Sequence, residues 1–351
     1  MSGDDLTVSD LCNRFLTAKK RKLDAGEITA RTFDECREMT ARIIGAFGKD
    51  RLVDDLASDD FENLRSEMTT TWGPVRLAKG VGGVRSVFKY GHEAGLIDKP
   101  IRFGPGFVKP SASVLRRHKA KNGDRMIEAD ELRRLLDAAP VQLRAMLMLA
   151  INCGFGNHDC ASIPLSALSL DDQWINYPRP KTGIERRCPL WPETVEALRA
   201  AIVERPEPRR DDAKDLVFVT TRGRPWLSGG IANPVSVAAR DLMKSIGIHR
   251  KGIGFYLIRH THRTISDGAR DQVAANLIMG HSDPSMANVY RERIDDDRLR
   301  RVVEHVRAWL FPPDDTSGKD DQPRALSQNL GQMATDDNNH DVEPALRLFV
   351  G

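Results

Sequence analysis

The stretch MGHSDPSMANVY, Met279 to Tyr290, ends on one of only four tyrosines in the chain and runs directly into RERIDDDR. Taken alone, Tyr290 reads as a half-buried helix residue whose hydroxyl reaches water. Upstream, in FYLIRHTHRT, Arg259 is flanked by Phe255, Leu257 and Ile258, as on a helix that carries a guanidinium into a semi-buried position. Gly280-His281 opens a turn that continues through Asp283-Pro284, and His281 reads equally well as a satisfied turn residue. Each feature is weak by itself, so the rest of the chain has to decide among these readings.

With 351 residues, 40% apolar and 29% charged, the chain has room for two domains with cores of their own. No apolar run approaches the ~18 residues of a membrane helix, and the N-terminus has no charged-then-apolar leader pattern. A cytoplasmic location without membrane association is therefore expected. The five cysteines are odd in number, scattered and without a C-x-x-C pair, so neither a disulfide framework nor a zinc knuckle is suggested. Cys153, His158 and Cys160 fit no common zinc spacing, so neither a metal nor a cofactor is expected. The net charge of +3 hides an asymmetry: residues 311–351 hold eight acidic and three basic residues, which leaves +8 on the part before them. A basic body suits a polyanionic partner as well as it suits solubility.

From Leu6 to about Leu96 apolar residues recur at helical spacing, for example Ile43, Ile44 and Phe47, or Leu64 and Met68, and predict about four amphipathic helices in a bundle. The runs Lys19-Lys20-Arg21-Lys22 and Arg76, Lys79, Arg85, Lys89 read as solvated faces or as tracks for a phosphate backbone. Residues 99–125 hold three prolines and a cluster of basic residues without apolar periodicity, and read as a linker attractive to phosphate. A second domain starts near Met126 with two helices, the second strongly apolar. SLDDQWINYPRPKTGIERRCPLW then predicts a short antiparallel strand pair around Lys181, and helices dominate from Pro192 to Leu310. The boundaries expected are 1–98, 99–125, 126–312 and an acidic, disordered tail at 313–351 with a short apolar end.

Together, Arg259, Gly280-His281 and Tyr290, with the Lys-Thr-Gly turn of PRPKTGIERRCPL before them, resemble the tyrosine recombinase (phage integrase) family, over about Leu6 to Leu310. The resemblance implies a fold that is mainly α with a small antiparallel β-sheet in the C-terminal domain: a helical, SAM-like core-binding domain followed by a tyrosine recombinase catalytic domain. It implies Tyr290 as a nucleophile forming a 3′-phosphotyrosyl intermediate, Arg259 gripping non-bridging oxygens, Lys181 protonating the leaving 5′-oxygen, and His281 donating a hydrogen bond to the phosphate. These types suit the chemistry. Tyrosine ionises near pH 10, far below an aliphatic alcohol, and arginine keeps its planar charged fork. The partners implied are double-stranded DNA and further copies of the chain, as a tetramer on DNA.

Two positions depart from the family pattern. Where its first arginine is expected, in a Gly-Leu-Arg-x-x-Glu segment, this chain has Gly154-Phe155-Gly156 with Asp159 at the acidic position, so the arginine position is Gly156. The histidine of His-x-x-Arg is Tyr256. Loss of an arginine at a transferring phosphate costs about 10³–10⁵ in rate. Either another basic residue, such as Arg144 or Arg263, enters beside Gly156, or the protein keeps its DNA grip and has lost fast cleavage. The leading expectation is a site-specific DNA recombinase or integrase. The alternatives are a non-catalytic DNA-binding relative that regulates recombination sites and, further off, a type IB-like topoisomerase.

Overall fold

A computed structural model describes residues 6–121, 123, 125–227, 233–282 and 292–312. Four helices open the chain: α1 (Val8–Asp24), α2 (Ala30–Phe47), α3 (Ser58–Thr71) and α4 (Pro74–Glu93). Thr7 starts α1 through a capping box with Asp10, Thr29 accepts from the Thr32 backbone at the start of α2, and Pro74 opens α4 where its missing N–H costs nothing. Their apolar stripes close a core centred on Phe61, whose ring meets Phe47, Phe88, Phe103 and Phe107 edge-on at centroid distances of 5.1, 5.2, 4.9 and 5.7 Å. Edge-to-face packing of this kind adds to simple area burial.

Phe103 and Phe107 belong to the segment read from sequence as a linker. Phe107 is fully buried, and Arg85, one of the cations read as a possible phosphate contact, lies over Phe103 and donates to the Phe107 carbonyl at 2.8 Å. The other half of that segment is a helix, α5 (Ala112–Lys121), which buries none of its residues. It starts at Ser111, whose hydroxyl accepts from the Val114 N–H. A helix that fully buries none of its residues leaves little apolar period in the sequence, which is why the periodicity missed it. Among the surface cations, Lys79 pairs with Glu35 and Lys89 with Glu93.

A second apolar core spans residues 127–311. Helices α6 (Ala129–Asp137), α7 (Val141–Asn152) and α8 (Asn157–Ala161) lead into three short antiparallel strands, β1 (Leu168–Ser169), β2 (Trp174–Asn176) and β3 (Arg187–Pro189), in the order β1-β2-β3. Ile175 stands opposite Leu168 and Cys188, and Asn176 opposite Arg187. The strand pair expected around Lys181 is β2–β3; β1 is a third strand too short to show alternation. Among the described residues, helices α9 (Pro192–Val203), α10 (Pro234–Ser245), α11 (Phe255–Ser266), α12 (Gln272–Met279) and α13 (Asp296–Leu310) follow.

Helix α7 buries nine of its twelve residues and forms the centre. Its final Asn152 joins helix to sheet, donating to the Pro189 carbonyl at 3.1 Å and accepting from the Trp191 N–H at 2.9 Å. Helix α13 is clamped by three bidentate ion pairs, Arg187–Asp296, Arg298–Asp271 and Arg307–Glu193, with closest contacts of 2.7, 2.7 and 2.6 Å. Among the described residues no helix is long and apolar enough to cross a membrane. Because Phe61 is fully buried at the centre of the first core, Phe61→Ala is expected to cost about 3–5 kcal/mol of stability, measured from urea unfolding midpoints.

Candidate active site

Helix α11 turns a stripe of Phe255, Ile258, Arg259 and His262 into the protein. The spacing places the Arg259 guanidinium inside, 3% exposed, where each N–H needs an acceptor. Nη2 donates to the Met279 carbonyl at 2.8 Å and to Nε2 of His281 at 2.8 Å, and Nη1 donates to the Gly154 carbonyl. A guanidinium only donates, so Nε2 of His281 must accept and the imidazole is neutral, with its proton on Nδ1. Burial, then the charges of Arg259 and Arg179, bring the His281 pKa down to about 4. Arg259 itself is lowered to about 10, by burial and then by the charge of Arg179.

His281 is delivered by the end of α12. Asp271 caps the start of that helix through the Ala274 N–H, and its end closes at Gly280, in the left-handed region at φ +64°, with the His281 N–H on the Asn276 carbonyl at 2.9 Å. Space demands glycine here as much as conformation does. A Cβ at position 280 would lie 2.7 Å from Cδ of Arg186 and 3.1 Å from Cβ of Arg179.

The two departures from the family pattern turn out to be neighbours. A Cβ at Gly156 would lie 3.2 Å from the Tyr256 ring, so this tyrosine, 47% exposed, overlies the position where an arginine was expected. The Gly156 N–H instead donates to Oδ2 of Asp159 at 2.8 Å, starting α8. The basic residues nominated from sequence stand elsewhere: Arg144 is exposed on α7, and Arg263 pairs with Asp267 at 3.2 Å and bonds Asn276 and Gln272. Two arginines flanking the Lys-Thr-Gly turn come to the site in their place. Arg186 is 2% exposed, stacks over Phe155 at 4.1 Å, donates from Nε to the Tyr177 carbonyl at 2.8 Å, and places Nη1 3.4 Å from Asp159. Asp159 also faces Arg259, at 4.0 Å. Arg179 is partly exposed and donates from Nη1 to the Gly280 carbonyl at 3.3 Å. Both were present in PRPKTGIERR; the signal was four cations in ten residues, of which only Lys181 was singled out.

Lys181 lies exposed on the connection between β2 and β3, where the N–H groups of Thr182 and Gly183 bond the Arg179 carbonyl at 3.0 and 2.8 Å. Tyr290 lies outside the described residues, which resume at residue 292 and run into α13. The structure thus brings together Arg259, His281, Gly156, Tyr256 and Asp159, with Arg179 and Arg186 added. His262, unremarked in the sequence, is buried beneath Gly154, with Nδ1 2.7 Å from the Ile151 carbonyl and, among the described residues, no hydrogen-bond partner for Nε2.

A helical domain that aims an arginine and a histidine from two helices at one point, beside a short hairpin carrying a lysine, is the architecture of a tyrosine recombinase catalytic domain. Residues 125–296 match the phage integrase family. Among solved structures the fold resembles a lambda integrase dimer bound to a COC′ core site, at 18% identity over 84% of this chain and 81% of that one, with a TM-score of 0.60. It also resembles the Tn1549 transposon integrase in complex with a circular intermediate DNA, at 16% identity over 85% and 99% and a TM-score of 0.59. A lambda integrase tetramer bound to a Holliday junction gives 17% identity, 84% and 82% coverage, and 0.56. No curated protein matches the chain in sequence.

His281 and His262 both titrate near 4 in the fold, His262 through burial first, against 6.5 for an unperturbed imidazole. Between those values the unfolded chain binds more protons than the folded one, so stability rises with pH across that window. The contribution is complete above pH 6.5 and is lost as pH falls through about 4. Urea midpoints measured from pH 7 to pH 4.5 should fall with pH, and His281→Gln should flatten part of that slope.

Proposed function

We propose that this chain is a site-specific DNA recombinase or integrase that cleaves and rejoins strands through a 3′-phosphotyrosyl intermediate. The observation that carries the reading is the Arg259–His281 pair, held 2.8 Å apart at the end of α12, nine residues before Tyr290. In this reading the Tyr290 Oη attacks the scissile phosphorus, the P–O5′ bond breaks, and Lys181 gives its proton to the departing 5′-oxygen. Arg259 holds a non-bridging oxygen with a guanidinium that stays charged despite its depressed pKa. His281, neutral with a proton on Nδ1, donates to the same phosphate as negative charge builds. The phosphotyrosyl ester keeps the bond energy, so attack by the 5′-hydroxyl of another strand reverses the step and joins the ends.

Two apolar cores support a clamp on duplex DNA, with residues 1–98 on one side, 126–312 on the other and 99–125 as the basic connection. The similar integrase structures are a dimer on a core site and a tetramer on a Holliday junction, and a tetramer on DNA is proposed for this chain.

The test uses the full-length protein and a pool of randomised duplexes, each nicked so that cleavage releases a short fragment and traps the adduct. The wild type is expected to give SDS-resistant protein–DNA adducts enriched in one sequence. Tyr290→Phe is expected to give none while binding DNA within a few-fold of the wild type. Equal adduct with the Phe variant removes Tyr290 from its role. Wild-type binding that falls steeply with salt but never yields adduct favours the binding-only relative, and supercoil relaxation by dilute protein favours a topoisomerase.

A further inference from the structure

Arg179 and Arg259 donate to consecutive carbonyls of one turn, Gly280 at 3.3 Å and Met279 at 2.8 Å, although they are 80 residues apart in sequence. Two like charges held side by side disfavour each other. Asp159, the carboxylate at this site, faces Arg186 and Arg259, and among the described residues no carboxylate pairs with Arg179. Among the described residues, three guanidiniums against one carboxylate form a site built for an anion.

We propose that Arg179 is the second phosphate-gripping guanidinium of this site, taking with Arg259 the part that Gly156 leaves vacant. The proposal rests on the recombinase reading for its substrate, the scissile phosphodiester. Arg186 is the positioning residue. Its Nε is committed to Tyr177, its plane is stacked on Phe155, and its charge is set against Asp159, so it neutralises the carboxylate and stays out of reach of a ligand. Arg179 is differently placed. It is partly exposed and spends one of its five N–H donors on Gly280, which leaves a fork for two phosphate oxygens. Its backbone is fixed at the base of the hairpin, its N–H on the Ile184 carbonyl at 2.8 Å and its own carbonyl accepting from Thr182 and Gly183, so the side chain starts from a defined point. Tyr256 covers Gly156, and Gly280 leaves room beside the turn for Arg179 and Arg186.

Two measurements test this on the full-length protein. In the first, inorganic phosphate is titrated while the arginine Nε–H resonances are followed by NMR. Arg179 and Arg259 are expected to shift together with a single Kd, and Arg179→Ala to weaken binding at least tenfold, with Arg144→Ala unchanged. A shift of Arg259 alone overturns the proposal and leaves the recombinase reading standing. In the second, single-turnover cleavage is compared on a nicked duplex selected by the wild type, carrying either the native phosphate or a neutral methylphosphonate at the scissile position. Arg179→Ala is expected to slow cleavage of the phosphate about 10²–10³-fold. That deficit should shrink at least tenfold on the methylphosphonate, which has one fewer charge to offset, and Arg179→Lys should recover part of the rate. An equal deficit on both substrates assigns Arg179 a merely structural role and overturns the proposal. Phosphate binding through both arginines in a wild type that forms no adduct supports the cradle and removes the recombinase reading instead.

Discussion

A guanidinium taken out of water must find an acceptor for nearly every N–H, because a buried charge left unpaired costs several kcal/mol. Arg259 places three of its five N–H donors on the carbonyls of Gly154 and Met279 and the imidazole of His281. Those partners lie 105, 20 and 22 residues away in sequence. One side chain therefore fixes the end of α7, the end of α12 and the tautomer of a histidine. Gly280 is the backbone form of the same constraint, since only a residue without a side chain can turn the Met279 carbonyl inward while admitting two arginines beside it.

Much of this could be read in the sequence, and the boundary of what could not is physical. The stripe that buries Arg259 has helical period, the Gly-His turn is a helix stop, and the hairpin around Lys181 announces itself by its turn residues. Helix α5 left no signal because it buries nothing. Arg179 and Arg186 were missed for a different reason. Their roles are set by contacts with Gly280 and Asp159 across the fold, and an arginine beside a turn looks the same in sequence whether it faces water or a carboxylate.

Gly156 and Tyr256 looked in sequence like two separate losses. In space they are one rearrangement: a ring laid over a glycine, with Asp159 turned back to cap its own helix and to hold Arg186 and Arg259. The acidic residue kept from the family pattern thus has a use without an arginine at position 156.

Moving a cation from the start of α8 to the β2–β3 hairpin also changes what is coupled to what. At position 156 an arginine would be fixed to the helical core, independent of the hairpin. At position 179 it lies two residues from Lys181, on backbone joined to that turn by three hydrogen bonds. In the proposed mechanism, phosphate grip and leaving-group protonation then arrive on one element. Arg259 and His281, by contrast, are held by α11 and the end of α12, so the proposed site draws its groups from the hairpin on one side and from helices on the other.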